Sequence, residues 1–165
     1  MKRCRAPVAC LASLLLATLF APAARTLAAD DTDLPALLKS QPVKADPKDG
    51  DVRKLMVERY NAAVQEVRDR YRRVQGGTDT PHQSCEALKR LAQAGLELNE
   101  RAAGRATLLE ACVEVAKGLE KMVEERVNAG VKTFTPADLS EATYFRADLE
   151  IQWLRAKEKL KGEKK

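Results

Sequence analysis

The sequence holds few aromatic residues and a single histidine. Phe, Trp and Tyr make up only 4% of the chain, which leaves little material for a thick globular core. Ala, Leu, Glu, Lys and Arg dominate instead, and this composition favours long helices. The lone histidine, His82, excludes a histidine-rich metal site, and Cys85 and Cys112 have no further Cys or His at zinc-ligand spacing.

Catalytic patterns are lacking as well. The acids of the long helical region, from Glu97 to Glu125, are spread along a helix with Lys and Arg between them, as in a solvated face with i to i+4 pairs. Gly76-Gly77 follows a helical pattern and no strand, so it does not indicate a phosphate-binding loop. No nucleophile is accompanied by a base that would activate it. We therefore expect no catalytic site, no cofactor, no metal and no small-molecule substrate.

The N-terminus has the pattern of a secretory signal. Three basic residues precede an apolar run from Val8 to Phe20, and a signal peptidase could cut after Ala23 or after Ala29. We predict a signal peptide over 1–29 and export to the periplasm or cell envelope of a Gram-negative-type bacterium. An uncleaved membrane anchor is the alternative, which leaves membrane association open, and Pro7 disfavours lipid attachment at Cys10.

Removing the signal changes the charge and the cysteine content. The chain carries +5, but residues 30–165 hold 25 basic and 24 acidic residues, a net charge of +1. A nearly neutral chain of mixed charge has little attraction for nucleic acid, so no nucleic-acid partner is expected. Cys85 and Cys112 remain, in an oxidising compartment where they could pair.

The predicted exported part begins with a proline-containing leader. Residues 30–50 hold Pro35, Pro42 and Pro47, which prevent a continuous helix. We expect a flexible segment with one helical turn around 34–38. A helical domain follows over 51–161, and the charged residues 162–165 form a tail.

Three helices are predicted in this domain. The first spans about 51–75, and the second starts at Thr80-Pro81 with a cap and a proline at the first position. No proline follows until Pro136, so the second helix would run for about 48 residues, roughly 70 Å. The fold class is then all-α, with long antiparallel, coiled-coil-like hairpins in which two shorter helices pack end to end along one long central helix. A break near Gly95 or Gly104 is the alternative and would give a compact four-helix bundle.

Apolar residues at alternating spacings of three and four form two seams. The seam residues are Leu88, Leu91, Leu98, Leu109, Cys112, Leu119 and Val123 in the second helix, and Leu139, Leu149, Trp153 and Leu160 in the third. We predict that these seams pack as knobs into holes and offer a surface for self-association or for a helical protein partner. Arg105 and Arg126 lie on the first seam, either snorkelling or selecting a register.

The two remaining cysteines distinguish between the two architectures. In an unbroken helix Cys85 and Cys112 would stand about 40 Å apart and could not pair within one chain. Cys112 would then fill the seam, and Cys85 would be exposed near a helix N-terminus as a candidate intermolecular cross-link. A helix that folds back between them would instead permit an internal disulfide.

An internal repeat surrounds the predicted glycine turns at Gly76, Gly77 and Gly130. The segment RVQGGTDT at 73–80 matches RVNAGVKT at 126–133, and the same offset aligns AGLEL at 94–98 with ADLEI at 147–151. Such repetition predicts duplicated helix–turn–helix units.

The second turn resembles the TolC-type outer-membrane efflux family. The residues that carry the likeness lie in ERVNAGVKTFTPADLSEATYFRADLEIQWLRA, from Glu125 to Ala156. The resemblance covers the helical part only and implies a relative of the periplasmic helices of that family. We therefore expect an exported helical interaction or structural protein of the cell envelope. The alternatives are a component of an efflux channel and a periplasmic helical chaperone with a concave apolar face.

Overall fold

The computed structural model describes residues 33–162, which form five α-helices and no strand. These are α1 (Ala36–Lys39), α2 (Asp51–Gln75), α3 (Pro81–Leu98), α4 (Ala102–Asn128) and α5 (Pro136–Gly162). The all-α prediction is confirmed. The predicted signal peptide and the last three residues of the predicted tail lie outside the described residues.

The prediction of one long central helix is wrong, because the chain leaves the helix at Asn99 and re-enters it at Ala102. Asn99 adopts an extended conformation, and its side-chain amide donates a 2.8 Å hydrogen bond to the Gly95 carbonyl. Arg105 Nε donates to the Asn99 carbonyl at 2.8 Å. A Cβ at Gly104 would come within 2.8 Å of Asn99 Oδ1, so glycine leaves room for this arrangement. The break therefore lies between the two glycines that the alternative architecture named.

The helices pack mainly in sequential pairs, α2 with α3 and α4 with α5, and the pairs are joined by contacts of α3 with α4. In the first pair Glu66 accepts from Arg90 at 2.7 Å, while Arg59, earlier in α2, pairs with Glu97, later in α3. These two helices therefore run in opposite directions. Phe145 and Leu149 bring α5 into the same core that α2, α3 and α4 share.

The same turn joins the two helices of each pair. Gly77 and Gly130, which are 53 residues apart, have φ of 73° and 69°. Thr78 N donates to the Arg73 carbonyl at 2.9 Å, and Val131 N donates to the Arg126 carbonyl at 3.0 Å. In both turns this bond closes the end of the helix, and the residue just before the donor is left-handed. Glycine adopts that conformation at least cost. The sequence repeat thus corresponds to a repeated backbone turn.

The leader contains its expected helical turn as α1, and the segment from Leu34 to Val43 packs against the helical domain. Leu34 and Leu38 are buried in the core, and α1 lies against both α2 and α4. Arg68 donates from Nε to the Leu38 carbonyl at 2.5 Å, and the Asn61 amide bonds both backbone groups of Val43. Prolines prevent a continuous helix here, but the buried leucines and these side-chain bonds hold the segment in place.

Candidate interaction surface

Most residues of the predicted seams lie inside the domain. Among their residues, the buried ones are Leu88, Leu91, Leu98, Leu109, Cys112, Leu119, Val123 and Leu149, and the half-buried ones are Leu139, Trp153 and Leu160. Because the chain folds back at Asn99, each seam meets another helix of the same chain. The buried seam residues therefore build the core, while Leu139, Trp153 and Leu160 keep part of their surface exposed.

The prediction that Cys85 is an exposed cross-linking site is wrong. Cys85 and Cys112 are free thiols with 1% and 0% of their surface exposed. Removal from water disfavours a thiolate, and burial raises the pKa of each thiol to about 12. The sequence left open whether the second predicted helix breaks. It does break, and the chain folds back and covers Cys85. The structure holds no disulfide between Cys85 and Cys112.

Both thiols should resist a water-soluble disulfide reagent in the folded protein. Reaction needs a solvent-accessible thiolate, so we expect modification roughly 100-fold slower than in denaturant, limited by opening of the structure. Mass spectrometry after peptide digestion would assign the modified cysteine. Prompt, stoichiometric modification of Cys85 in the native protein would contradict its burial.

The single histidine takes part in a surface contact between α3 and α5. His82 Nδ1 lies 2.5 Å from Glu141 Oε1, and this carboxylate raises the pKa of His82. Both side chains are solvated, so water screens the pair. Within residues 33–162 no three His, Cys, Asp or Glu side chains gather as metal ligands would.

Helix α5 carries apolar side chains on two sides. Phe145 and Leu149 point into the core with 2% and 1% exposure. On the other side Tyr144, Ile151 and Leu154 are 74%, 47% and 48% exposed, with the partly buried Ala147 between them. We call Tyr144, Ala147, Ile151 and Leu154 the outer stripe. Their spacings of three, four and three place them on one face of a helix.

The charges of α5 are divided along its length. Its first part holds the acids Asp138, Glu141, Asp148 and Glu150, and its last part holds the bases Arg155, Lys157, Lys159 and Lys161. Two residues depart from this division, Arg146 and Glu158. Arg146 is engaged inside the domain, because it donates to Glu120 at 3.0 Å and to Glu150 at 2.9 Å. Asp148 and Glu150 therefore lie beside the outer stripe, with Glu150 paired to Arg146, and the bases follow its C-terminal end.

A groove separates α3 from α5 below the His82 contact. It encloses about 520 Å³. Its apolar lining includes Ala92, Leu96, Phe145 and Leu149, and Arg105 stands at its edge. The guanidinium of Arg105 thus lies at the helix break and the groove, and not on a continuous seam. Of these apolar side chains Leu96 is half-buried, whereas Ala92, Phe145 and Leu149 are only 5%, 2% and 1% exposed, and polar side chains line the rest of the groove.

Comparisons with known proteins add no relative. The sequence matches no protein-family model, and neither curated proteins nor solved structures gave a match. The likeness to efflux proteins around Gly130 therefore rests on the sequence alone. Among the described helices, none has the length and apolar character that crossing a membrane requires.

Sequence reasoning missed the outer stripe although its signal was present. The predicted seam lies on one face of α5, from Leu139 to Leu160. It does not include Tyr144, Ile151 and Leu154. Those three residues repeat at seven and three, which is itself a helical stripe. When a helix has two apolar stripes, packing against the core covers only one of them, and the other stays exposed.

Proposed function

We propose that this chain is an exported interaction or structural protein of the cell envelope that acts by pairing its helices with another protein. The observation that carries the proposal is the outer stripe of α5. Tyr144, Ile151 and Leu154 form an exposed apolar face on a helix whose opposite face is already packed. Apolar surface gains about 25 cal/mol per Å² when it leaves water, so such a face favours association.

Export is supported by the N-terminal sequence. The basic start and the apolar run over 8–20 have the order of a secretory signal. Kinship with the periplasmic helices of efflux proteins is the narrower form of the proposal. It is supported by the residues from Glu125 to Ala156 and by the repeated glycine turn at Gly77 and Gly130.

The groove between α3 and α5 favours a second candidate function, that of a periplasmic helical chaperone. A chaperone needs a concave apolar surface that unfolded chains can enter. The groove is concave, and Leu96 is the half-buried apolar side chain of its lining. The two candidates place the partner on different surfaces of the domain, so one experiment separates them.

Site-specific photo-cross-linking in the cell of origin tests the proposal. A benzophenone side chain would replace Ile151 on the outer stripe, Leu96 in the groove, or Thr107, an exposed polar residue of α4, as the control. We expect the chain in the periplasmic or envelope fraction and one discrete adduct at position 151. A broad range of adducts at position 96 would favour the chaperone. Retention in the cytoplasm, or adducts no stronger at 151 than at 107, would refute the proposal.

A further inference from the structure

We propose that a cavity beside the helix break binds a small phosphate monoester, with Arg105, Arg155 and Lys159 holding the phosphate. The cavity lies between the start of α4 and the last part of α5 and encloses about 380 Å³. It adjoins the groove between α3 and α5, with which it shares Leu96, Arg105 and Gln152. No residue of the outer stripe lines it, so this site goes beyond the proposed function.

The unpaired charge of this cavity is positive. Arg105 belongs to α4, while Arg155 and Lys159 belong to α5, so two helices bring like charges to one place. Arg155 and Lys159 are four residues apart, a spacing at which like charges on a helix repel. Within residues 33–162 neither of them makes an ion pair or a side-chain hydrogen bond. The one acid of the lining, Glu100, lies 3.7 Å from Arg53 of α2. An anion between the three cations would relieve their repulsion.

The helix break holds Arg105 in position for such an anion. Its Nε donates to the Asn99 carbonyl at 2.8 Å, and its two Nη groups make no further hydrogen bond to the described residues. Those groups are left to bind an anion, and a guanidinium matches the geometry of phosphate oxygens. Helix α4 begins at Ala102 in the same lining, and its first turn holds neither an acid nor a side-chain cap. The helix N-terminus therefore adds partial positive charge to the three cations.

The charge and the size of the cavity indicate the class of ligand. Three cations and one acid leave a net charge of +2 in the lining, and a phosphate monoester carries about −1.5 to −2 near pH 7. A volume of about 380 Å³ lies in the lower part of the range of small-molecule sites. The half-buried Leu96 and Ala156 offer apolar contact to the body of an ester. The cavity therefore fits a small phosphate monoester with an apolar group.

Phenyl phosphate and benzenesulfonate are a matched pair of probes for this site. They share an aromatic ring, but the phosphate is largely a dianion at neutral pH and the sulfonate is a monoanion. Phenyl phosphate should bind the full chain, purified as the cell processes it, with a Kd of ~1 mM or tighter. Its affinity should exceed that of benzenesulfonate at least ~fivefold. Backbone amide NMR titration at low ionic strength, where screening is weak, measures both affinities. The shifts should concentrate near Ala102 and Arg155.

Substitution of exposed cations on α5 tests which residues hold the phosphate. The double variant Arg155→Gln with Lys159→Gln removes two charges from the cavity and breaks no contact among the described residues. It should bind phenyl phosphate at least ~tenfold more weakly than the unaltered chain. Lys161→Gln makes the same change at an exposed position of α5 outside the lining and should keep the affinity within ~twofold. Unchanged far-ultraviolet circular dichroism spectra would show that both variants are folded.

Three results would overturn the inference. They are the absence of saturable shifts up to ~10 mM phenyl phosphate, equal affinity for the two probes, and equal losses in the double variant and in Lys161→Gln. Vesicles that contain phosphatidate, whose headgroup is itself a phosphate monoester, separate a membrane from a soluble ligand. Sedimentation with these vesicles in the absence of phenyl phosphate binding would overturn the soluble ester. None of these results bears on the cross-link at position 151, so this inference and the proposed function fail independently.

Discussion

Replacing Gly95 by valine should lower the free energy of unfolding by about 3 kcal/mol. Gly95 lies in α3 where α4 and α2 approach it most closely. A Cβ added there would overlap one methyl group of Leu108, lie 3.0 Å from the other, and lie 3.1 Å from a ring carbon of Tyr60. All three residues are buried, so the helices would have to move apart. Urea unfolding followed by circular dichroism at 222 nm measures the change.

Two companion variants show whether crowding is the cause. Gly50→Val has the same change in side chain at a position where an added Cβ meets no heavy atom within 4 Å, and it should cost far less. Leu108→Ala removes the methyl groups that the new side chain would strike. In a double-mutant cycle, Gly95→Val should therefore cost at least ~1 kcal/mol less in the Leu108→Ala background. Equal losses for Gly95→Val in both backgrounds would contradict this account.

The start of α5 and the two glycine turns could be predicted because local chemistry sets them, whereas Thr80, the predicted cap of α3, makes no side-chain hydrogen bond to that helix. Thr135 and Asp138 cap α5 reciprocally, with Thr135 N donating to Asp138 Oδ2 at 2.7 Å, at the predicted start of this helix. Gly77 and Gly130 supply the left-handed residue at each turn. These signals lie within a few residues of the structure that they specify, so a single sequence reveals them.

The break after Leu98 could not be predicted with the same certainty, because its cause is partly tertiary. Asn99 has a modest helix propensity, and neither a proline nor a pair of glycines lies next to it in the sequence. Its backbone N–H still donates to the Gly95 carbonyl at 3.0 Å, its side-chain amide adds a second bond to that carbonyl at 2.8 Å, and Arg105 Nε donates to the Asn99 carbonyl. The break also lets α4 fold back onto α3 and bury both seams. The energy of that burial belongs to the whole domain and is absent from any local pattern.

The seam residues show what a helical pattern does and does not establish. Leu88, Leu119 and Leu149 were expected to be covered by another helix, and each is buried. The spacing predicts that a side chain is covered but does not say whether the cover belongs to the same chain. This also explains why the prediction of an exposed Cys85 is wrong, because the burial of Cys85 depends on the chain folding back at Asn99.

Arg126 connects the two glycine turns, which the repeat alone did not reveal. Its guanidinium donates to the Gln75 carbonyl at the end of α2 and lies 4.9 Å from the centre of the Phe134 ring before α5. A Cβ at Gly77 would come within 2.7 Å of Arg126 Nη1, so the side chain passes directly over the first turn. Arg126 is therefore a register-setting residue inside the domain, at the end where both helix pairs turn.

Arg126→Met should lower the free energy of unfolding by about 2 kcal/mol, because it keeps the aliphatic stem but removes a charged donor from a partly buried carbonyl. Arg73→Met is the matched control, since Arg73 holds the corresponding place in the first repeat but is exposed there. Its change should stay within about 0.5 kcal/mol. Urea unfolding of both variants gives the comparison. Hydrogen exchange should show faster exchange of the Thr78 amide, which closes the first turn, in Arg126→Met alone. Equal effects of the two substitutions would mean that Arg126 does not connect the turns.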